Sequence, residues 1–215
     1  MIENPKNQLP YAQSMGHLLV LYTQVDYFIM QACAERLASA PNDEAKMGLA
    51  KQVGDERRHV DIQRQWIETF GVDPTPVINA DSLEQLHAHF RSLDWVDFLT
   101  DLYLVIEALG SQAVEQIVPL ADPGTRESLR VPLQDELDHV AFGLAQLRKA
   151  LSVMDDRERA ERLSRMPSRI QHLLERLHGL GLPVADWFEG VGSDYAELCT
   201  GLGQRRDKLL TELAA

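Results

Sequence analysis

The sequence predicts an all-α fold, a four-helix bundle with one long crossover, on three observations. Apolar residues recur at three-four spacing through four long stretches, the signature of helices with one buried face. Helix-stopping residues separate them: Pro41, then Gly71 with Pro74 and Pro76, then Asp122-Pro123-Gly124. The first pair of stretches is echoed by the second, with matched positions 80 or 81 residues apart, as in a duplicated helical hairpin. The bundle is assigned to residues 1–154. A helical extension, 155–215, is expected to pack on the bundle or at a dimer interface.

Residues 1–9 are polar and expected to be irregular. The first helix is predicted from about Pro10 to Ala40. Met15, Leu18, Leu19, Tyr22, Asp26, Ile29, Met30, Cys33 and Leu37 form its inward stripe. An acid inside that stripe is anomalous, because an unpaired buried carboxylate costs several kcal/mol and needs a metal, a cation or a proton. Asn42-Asp43-Glu44 starts the second helix, which runs to about Phe70 with Leu49, Val53, Glu56, His59, Val60, Gln63, Ile67 and Phe70 inward. Arg57, Arg58, Asp61 and Arg64 read as solvated charge.

Residues 71–93 form the crossover, with a short helix from Asp81. His87 and His89 are read there as surface residues. The third helix, capped by Asp94, is predicted to reach Leu120, with Tyr103, Ile106, Glu107 and Gly110 inward. The fourth runs to about Asp155, with Glu136, His139 and Gly143 inward. Pro132, one turn before Glu136, predicts a kink. Two further helices are expected in the tail, separated by Gly179–Pro183. The first carries Arg157, Arg159, Arg162, Arg165, Arg169 and Arg176, read mainly as a solvated face and secondarily as a dock for an acidic electron donor.

The chemistry lies in the polar residues of the apolar stripes. Asp55-Glu56-x-x-His59 and Asp135-Glu136-x-x-His139 share one pattern, and residues three apart on a helix face the same way. One Glu-x-x-His arises by chance on many helices; two, each on an apolar face, are far more telling. Leu21-Tyr22-x-x-Val25-Asp26 repeats as Leu102-Tyr103-x-x-Ile106-Glu107, which places one acid before each motif. Gln24 and Glu35 lie close enough to compete for the first-helix role, but Asp26 alone fits the repeat.

This pattern resembles the ferritin-like dinuclear metal carboxylate superfamily, over residues 10–154. Its site takes one acid from each of two helices and Glu-x-x-His from the other two. The resemblance implies metal ligation by Asp26, Glu56, His59, Glu107, Glu136 and His139. Asp26 stands where Glu is usual; aspartate there resembles the ribonucleotide reductase small subunit, yet Gln63 occupies that family's radical-tyrosine position. The resemblance also implies that Asp135 supports His59 and Asp55 supports His139. Tyr22 and Tyr103, each one turn before a ligand acid, either bond to the cluster or pack. Four carboxylates and two imidazoles suit two iron ions or a manganese–iron pair more than a closed zinc site, with O2 as co-substrate.

Composition narrows the remaining choices. The net charge of −12 disfavours a nucleic-acid surface and with it a tRNA hydroxylase. No apolar run reaches the ~20 residues of a membrane span. The first residues lack a signal-type apolar run, and Cys33 and Cys199 are too few for a disulfide framework or a rubredoxin iron site. A cytoplasmic homodimer is expected. The leading expectation is an O2-activating oxygenase or oxidase acting on a small, partly apolar molecule held near Gly110 and Gly143. A ferroxidase or rubrerythrin-like peroxide scavenger is the alternative. His17, His172 and His178 receive no role.

Overall fold

The computed structural model describes residues 8–214, and among these there is no strand. The elements in order are α1 (Gln8–Arg36), a 3-10 turn (Leu37–Ser39), α2 (Asp43–Phe70), α3 (Ala80–Ser92) and α4 (Trp95–Leu99). A π-helical stretch (Thr100–Glu107) follows without a break, then α5 (Ala108–Ile117), α6 (Pro123–Ser152), α7 (Asp156–His178), α8 (Val184–Gly190) and α9 (Tyr195–Ala214). The expectation of an irregular start falls largely outside the described residues, and α1 already begins at Gln8. The tail holds three helices, not two, because Val184–Gly190 forms its own short helix.

The helix starts are built by side chains that accept otherwise unpaired backbone N–H groups. Asn42 accepts from Ala45 at 2.9 Å, and Asp94 from Asp97 at 2.9 Å. Asp122 accepts from Gly124 and Thr125 at 3.1 Å. Gly71 ends α2 in the left-handed region, φ 63°, where a side chain would be strained.

α1 and α2 pack along one another, α2 lies against α6, and the π stretch and α5 lie against α6. Gln24 anchors the crossover: its Oε1 accepts from the Val77 and Ile78 amides, and its Nε2 donates to the Ile78 carbonyl. The core divides into two clusters. One includes Phe28, Cys33, Leu49, Leu99, Tyr103, Leu147 and Ile170; the other includes Met15, Leu18, Ile67, Ile117, Leu129, Phe188 and Leu198. Both draw on the tail. Full burial of a side chain such as Phe188 is worth about 1.5–3 kcal/mol, enough to hold the short α8 against α1.

The π stretch is the main departure from a regular third helix. Widened turns of this kind are rare and frequent at functional sites. Here Asp101 turns toward α3 and α7, while Tyr103 and Glu107 turn into the bundle. Asp101 is fully buried and accepts from Arg169 Nε at 2.6 Å and Nη2 at 2.7 Å, with His89 Nε2 also at 2.7 Å. His89 is therefore bound to a buried acid, and His87 is buried against Phe28, so neither is the surface residue expected from sequence. Arg162 likewise pairs with Asp94 at 2.6 Å, and Arg169 with Asp97 at 2.9 Å. These two arginines of α7 tie the tail to the bundle rather than standing in solvent. A helix-facing aspartate at positions 94, 97 and 101 is what fixes their direction.

Candidate metal centre

Each sequence-selected acid and histidine arrives from a different turn of a packed helix. Asp26 comes from α1, Glu56 and His59 from α2, Glu107 from the end of the π stretch, and Glu136 and His139 from α6. Asp26, Glu56, His59, Glu107 and His139 are each at most 4% exposed. Two groups form among them, Asp26 with Glu56 and His59, and Glu56 with Glu107 and His139. In each, one ligand-type atom per residue lies within 4.8 Å of the others. Glu56 belongs to both, between the two histidines. Glu136 stands outside these tight groups, although its Oε2 is buried and has no hydrogen-bond partner. The repeat pairs Glu136 with His139, whereas in the structure Glu56 takes the central place.

Both imidazoles are oriented from behind. His59 Nε2 donates to Asp135 Oδ2, and His139 Nε2 to Asp55 Oδ2, each at 3.1 Å. A carboxylate can only accept, so each Nε2 carries the proton and each Nδ1 is directed inward. His59 Nδ1 lies 3.2 Å from Glu56 Oε2 and 4.0 Å from Asp26 Oδ2. His139 Nδ1 lies 3.3 Å from Glu56 Oε1 and 3.6 Å from Glu107 Oε2. Arg58, expected to be solvated, donates to Asp135 at 2.5 Å and to Asp55 at 3.2 Å, and Lys51 reaches Asp55 at 2.7 Å. One guanidinium thus ties together the supports of both histidines.

Two glutamines complete the enclosure, and one of them gave no sequence signal. Gln52 Nε2 donates to Glu56 Oε1 at 3.3 Å and, more closely, to Glu107 Oε1, while its Oε1 accepts from Tyr103 at 2.6 Å. Two carboxylates can be satisfied only by the NH2 end of the amide, so the phenol must donate. Gln63 Nε2 donates to Asp26 Oδ2 at 2.6 Å, but its buried Oε1 has no partner. Tyr22 Oη is likewise buried and unpartnered. The rival first-helix residues lead elsewhere: Gln24 holds the crossover, and Glu35 lies 3.6 Å from Arg91. The space expected for substrate at Gly143 is filled, since a methyl group there would overlap the Tyr103 ring. A Cβ at Gly110 meets nothing.

The charge arrangement calls for cations. Burial first, then the neighbouring acids, raises Asp26 and Glu136 well above the ordinary carboxylate range and raises Glu107 as well. Burial pushes Glu56 the same way, but its contacts with His139 and His59 hold it low. Burial opposes a proton on His139, yet Glu107 and Glu56 overcome it and push that group up to about 11. His59 is raised in the same way by Glu56 and Asp26. Without multivalent cations, the cavity must be neutralised by shared protons. The donor set therefore fits two first-row ions: carboxylate oxygens, two inward Nδ1 atoms and a buried carboxylate oxygen with no other partner.

A family model described as a ferritin-like domain of actinomycetes matches residues 11–175. The chain belongs to that ferritin-like family. No curated protein matches the chain. Among solved structures, a Synechococcus protein with aldehyde deformylating oxidase activity superposes with a TM-score of 0.72 at 16% identity, covering 99% of this chain and 93% of that one. A Glu-to-Asp variant of an R2-like ligand-binding oxidase, with an aerobically reconstituted Mn/Fe cofactor, superposes at 0.63 and 14% identity, over 96% and 79%. Another R2-like ligand-binding oxidase with that cofactor gives 0.55 at 15% identity, over 96% and 79%. Likeness at these identities establishes the ferritin-like fold.

Proposed function

We propose that this chain is a non-haem dinuclear metal oxidase or oxygenase acting on a small, partly apolar organic molecule with O2. The carrying observation is the pair of buried carboxylate–imidazole groups that share Glu56. Asp26, Glu56 and His59 hold one ion; Glu56, Glu107 and His139 hold the other; Glu136 closes the set with its unpartnered Oε2. Two iron ions or a manganese–iron pair suit these donors. When bound, two such ions together supply two electrons to dioxygen, one more than a single ion gives. The family, and solved oxidases of the same fold with an Mn/Fe cofactor, support this reading.

The chain's own residues prepare the site. Asp55 and Asp135 fix the histidine tautomers, so that Nδ1 lone pairs are free once protons leave. Gln52 holds Glu107 by Oε1, which leaves Oε2 for a metal. The four helical elements bury the acids and imidazoles at the centre, and Glu136 Oε2 and Tyr22 Oη are buried with them. Metal analysis of the purified protein, then O2 uptake by the Fe(II) form, tests the proposal. Glu107→Ala and His139→Ala are each expected to lose metal loading and O2 uptake; an Ala variant that loads and turns over normally overturns it.

A further inference from the structure

The two ends of the centre are chemically unequal. At one end, Tyr103 bonds to Gln52, and Gln52 to both Glu56 and Glu107, so the phenol and both ends of the amide are satisfied. At the other end stand Tyr22, one turn before Asp26, and Gln63, one turn after His59. α1 and α2 run antiparallel, with Tyr11 against Phe70, so these two residues share that end. Here Tyr22 Oη and Gln63 Oε1 are buried without partners.

The repeat shows why. By the 80-residue offset, the counterpart of Gln52 is Pro132, which has no side-chain acceptor. Tyr103 finds its amide partner; Tyr22, its counterpart, has none. A buried polar group left unpaired costs about 1–3 kcal/mol, and two such groups at the same end of the centre point to a ligand that pairs them. The apolar cluster around Leu18, Leu19, Ile67, Val114, Leu129 and Leu133 borders Tyr22.

We infer that the Tyr22–Gln63 end is the polar subsite for the substrate, while the Gln52–Tyr103 end is closed. This rests on the proposed metal reading. Tyr22 offers a donor and Gln63 Oε1 an acceptor. The matching group carries an acceptor oxygen beside an N–H or O–H, as a primary amide or a neutral carboxylic acid does, on a short apolar chain lying in that cluster. Burial and the nearby Glu136 and Asp26 keep the Tyr22 phenol protonated, so it donates.

The test titrates hexanamide and its isostere 2-heptanone, which lacks the N–H donors, into the Mn(II)-loaded full-length protein by calorimetry. Hexanamide should bind the wild type about tenfold more tightly than the ketone, the scale of one hydrogen bond. Tyr22→Phe should weaken both about tenfold yet not lower the thermal midpoint of the metal-free protein, because its hydroxyl has no partner in the chain to lose. Gln63→Leu should erase the preference for the amide. No binding of hexanamide to the wild type, or equal binding of both probes, as expected for a site filled by water alone, overturns the subsite. So does a Tyr22→Phe variant that binds as the wild type. Metal stoichiometry is measured on the same samples. If no metal is taken up, the metal reading fails, and the same titrations on the metal-free protein decide the subsite separately.

Discussion

Gln52 shows how much one amide can organise. It orients Glu56 and Glu107 and satisfies the Tyr103 phenol, all in the dry core. Gln52→Leu should cost about 1–3 kcal/mol in urea unfolding of the metal-free protein, because it strands a buried hydroxyl. Adding Tyr103→Phe should recover part of that loss, and purely additive losses would argue against the bond. Gln52 was illegible in the sequence because the duplication that exposed the ligand acids has Pro132 at the matching position. Asp26 was legible for the opposite reason: its whole neighbourhood recurs before Glu107. Gly143 was misread as open space because a sequence does not say which ring fills a gap. Gly143→Ala should overpack against Tyr103 and lower stability by about 1–3 kcal/mol, read from the same unfolding curves.

Among the elements, the π stretch and α7 act together. Asp101 is buried in the π stretch and is held mainly by Arg169 from α7. Arg169→Met should leave that buried carboxylate with the His89 hydrogen bond alone and destabilise by about 3–5 kcal/mol, measured by denaturant unfolding. Arg162→Met should cost far less, since its partners Asp94 and Asp97 are partly exposed and screened by water. Equal losses would mean that Asp101 is not the anchor. The bundle helices were legible from apolar spacing and caps such as Asn42, Asp94 and Asp122. The π stretch was not, because its residues keep the apolar character of an ordinary helix, and the widening follows from where Asp101 and Glu107 must reach. The fate of the arginines depended on the aspartates of another helix.

For the whole molecule, the centre sets the pH dependence. Asp26, Glu107 and Glu136 have folded values raised above the usual carboxylate range, and His139 lies at about 11. Raised groups stabilise the metal-free fold fully below their unfolded values and progressively less as pH rises toward the folded ones. Asp55 and Asp135 behave differently. Burial would raise them, but Lys51 and His139 for the first, and His59 and Arg58 for the second, hold them low. Their contribution is already complete above about pH 5, where unfolded aspartates are ionised. From about pH 5 to 8 the metal-free protein should therefore lose stability, while metal uptake, which releases protons, should strengthen. The gap in thermal midpoint between Mn(II)-loaded and metal-free protein should widen over that range; a constant or narrowing gap would contradict the protonated, metal-ready cavity.

The sequence alone determined the helical class, the ferritin-like family and the acids and histidines worth watching, because periodicity and duplication are written along one dimension. Tertiary structure decided which oxygen faces which nitrogen. It put Glu56 at the middle, set Gln52 between Glu56, Glu107 and Tyr103, and left Tyr22 without a partner where Tyr103 has one. Those outcomes depend on distances between separate helices, and packing fixes such distances only when the whole chain has folded.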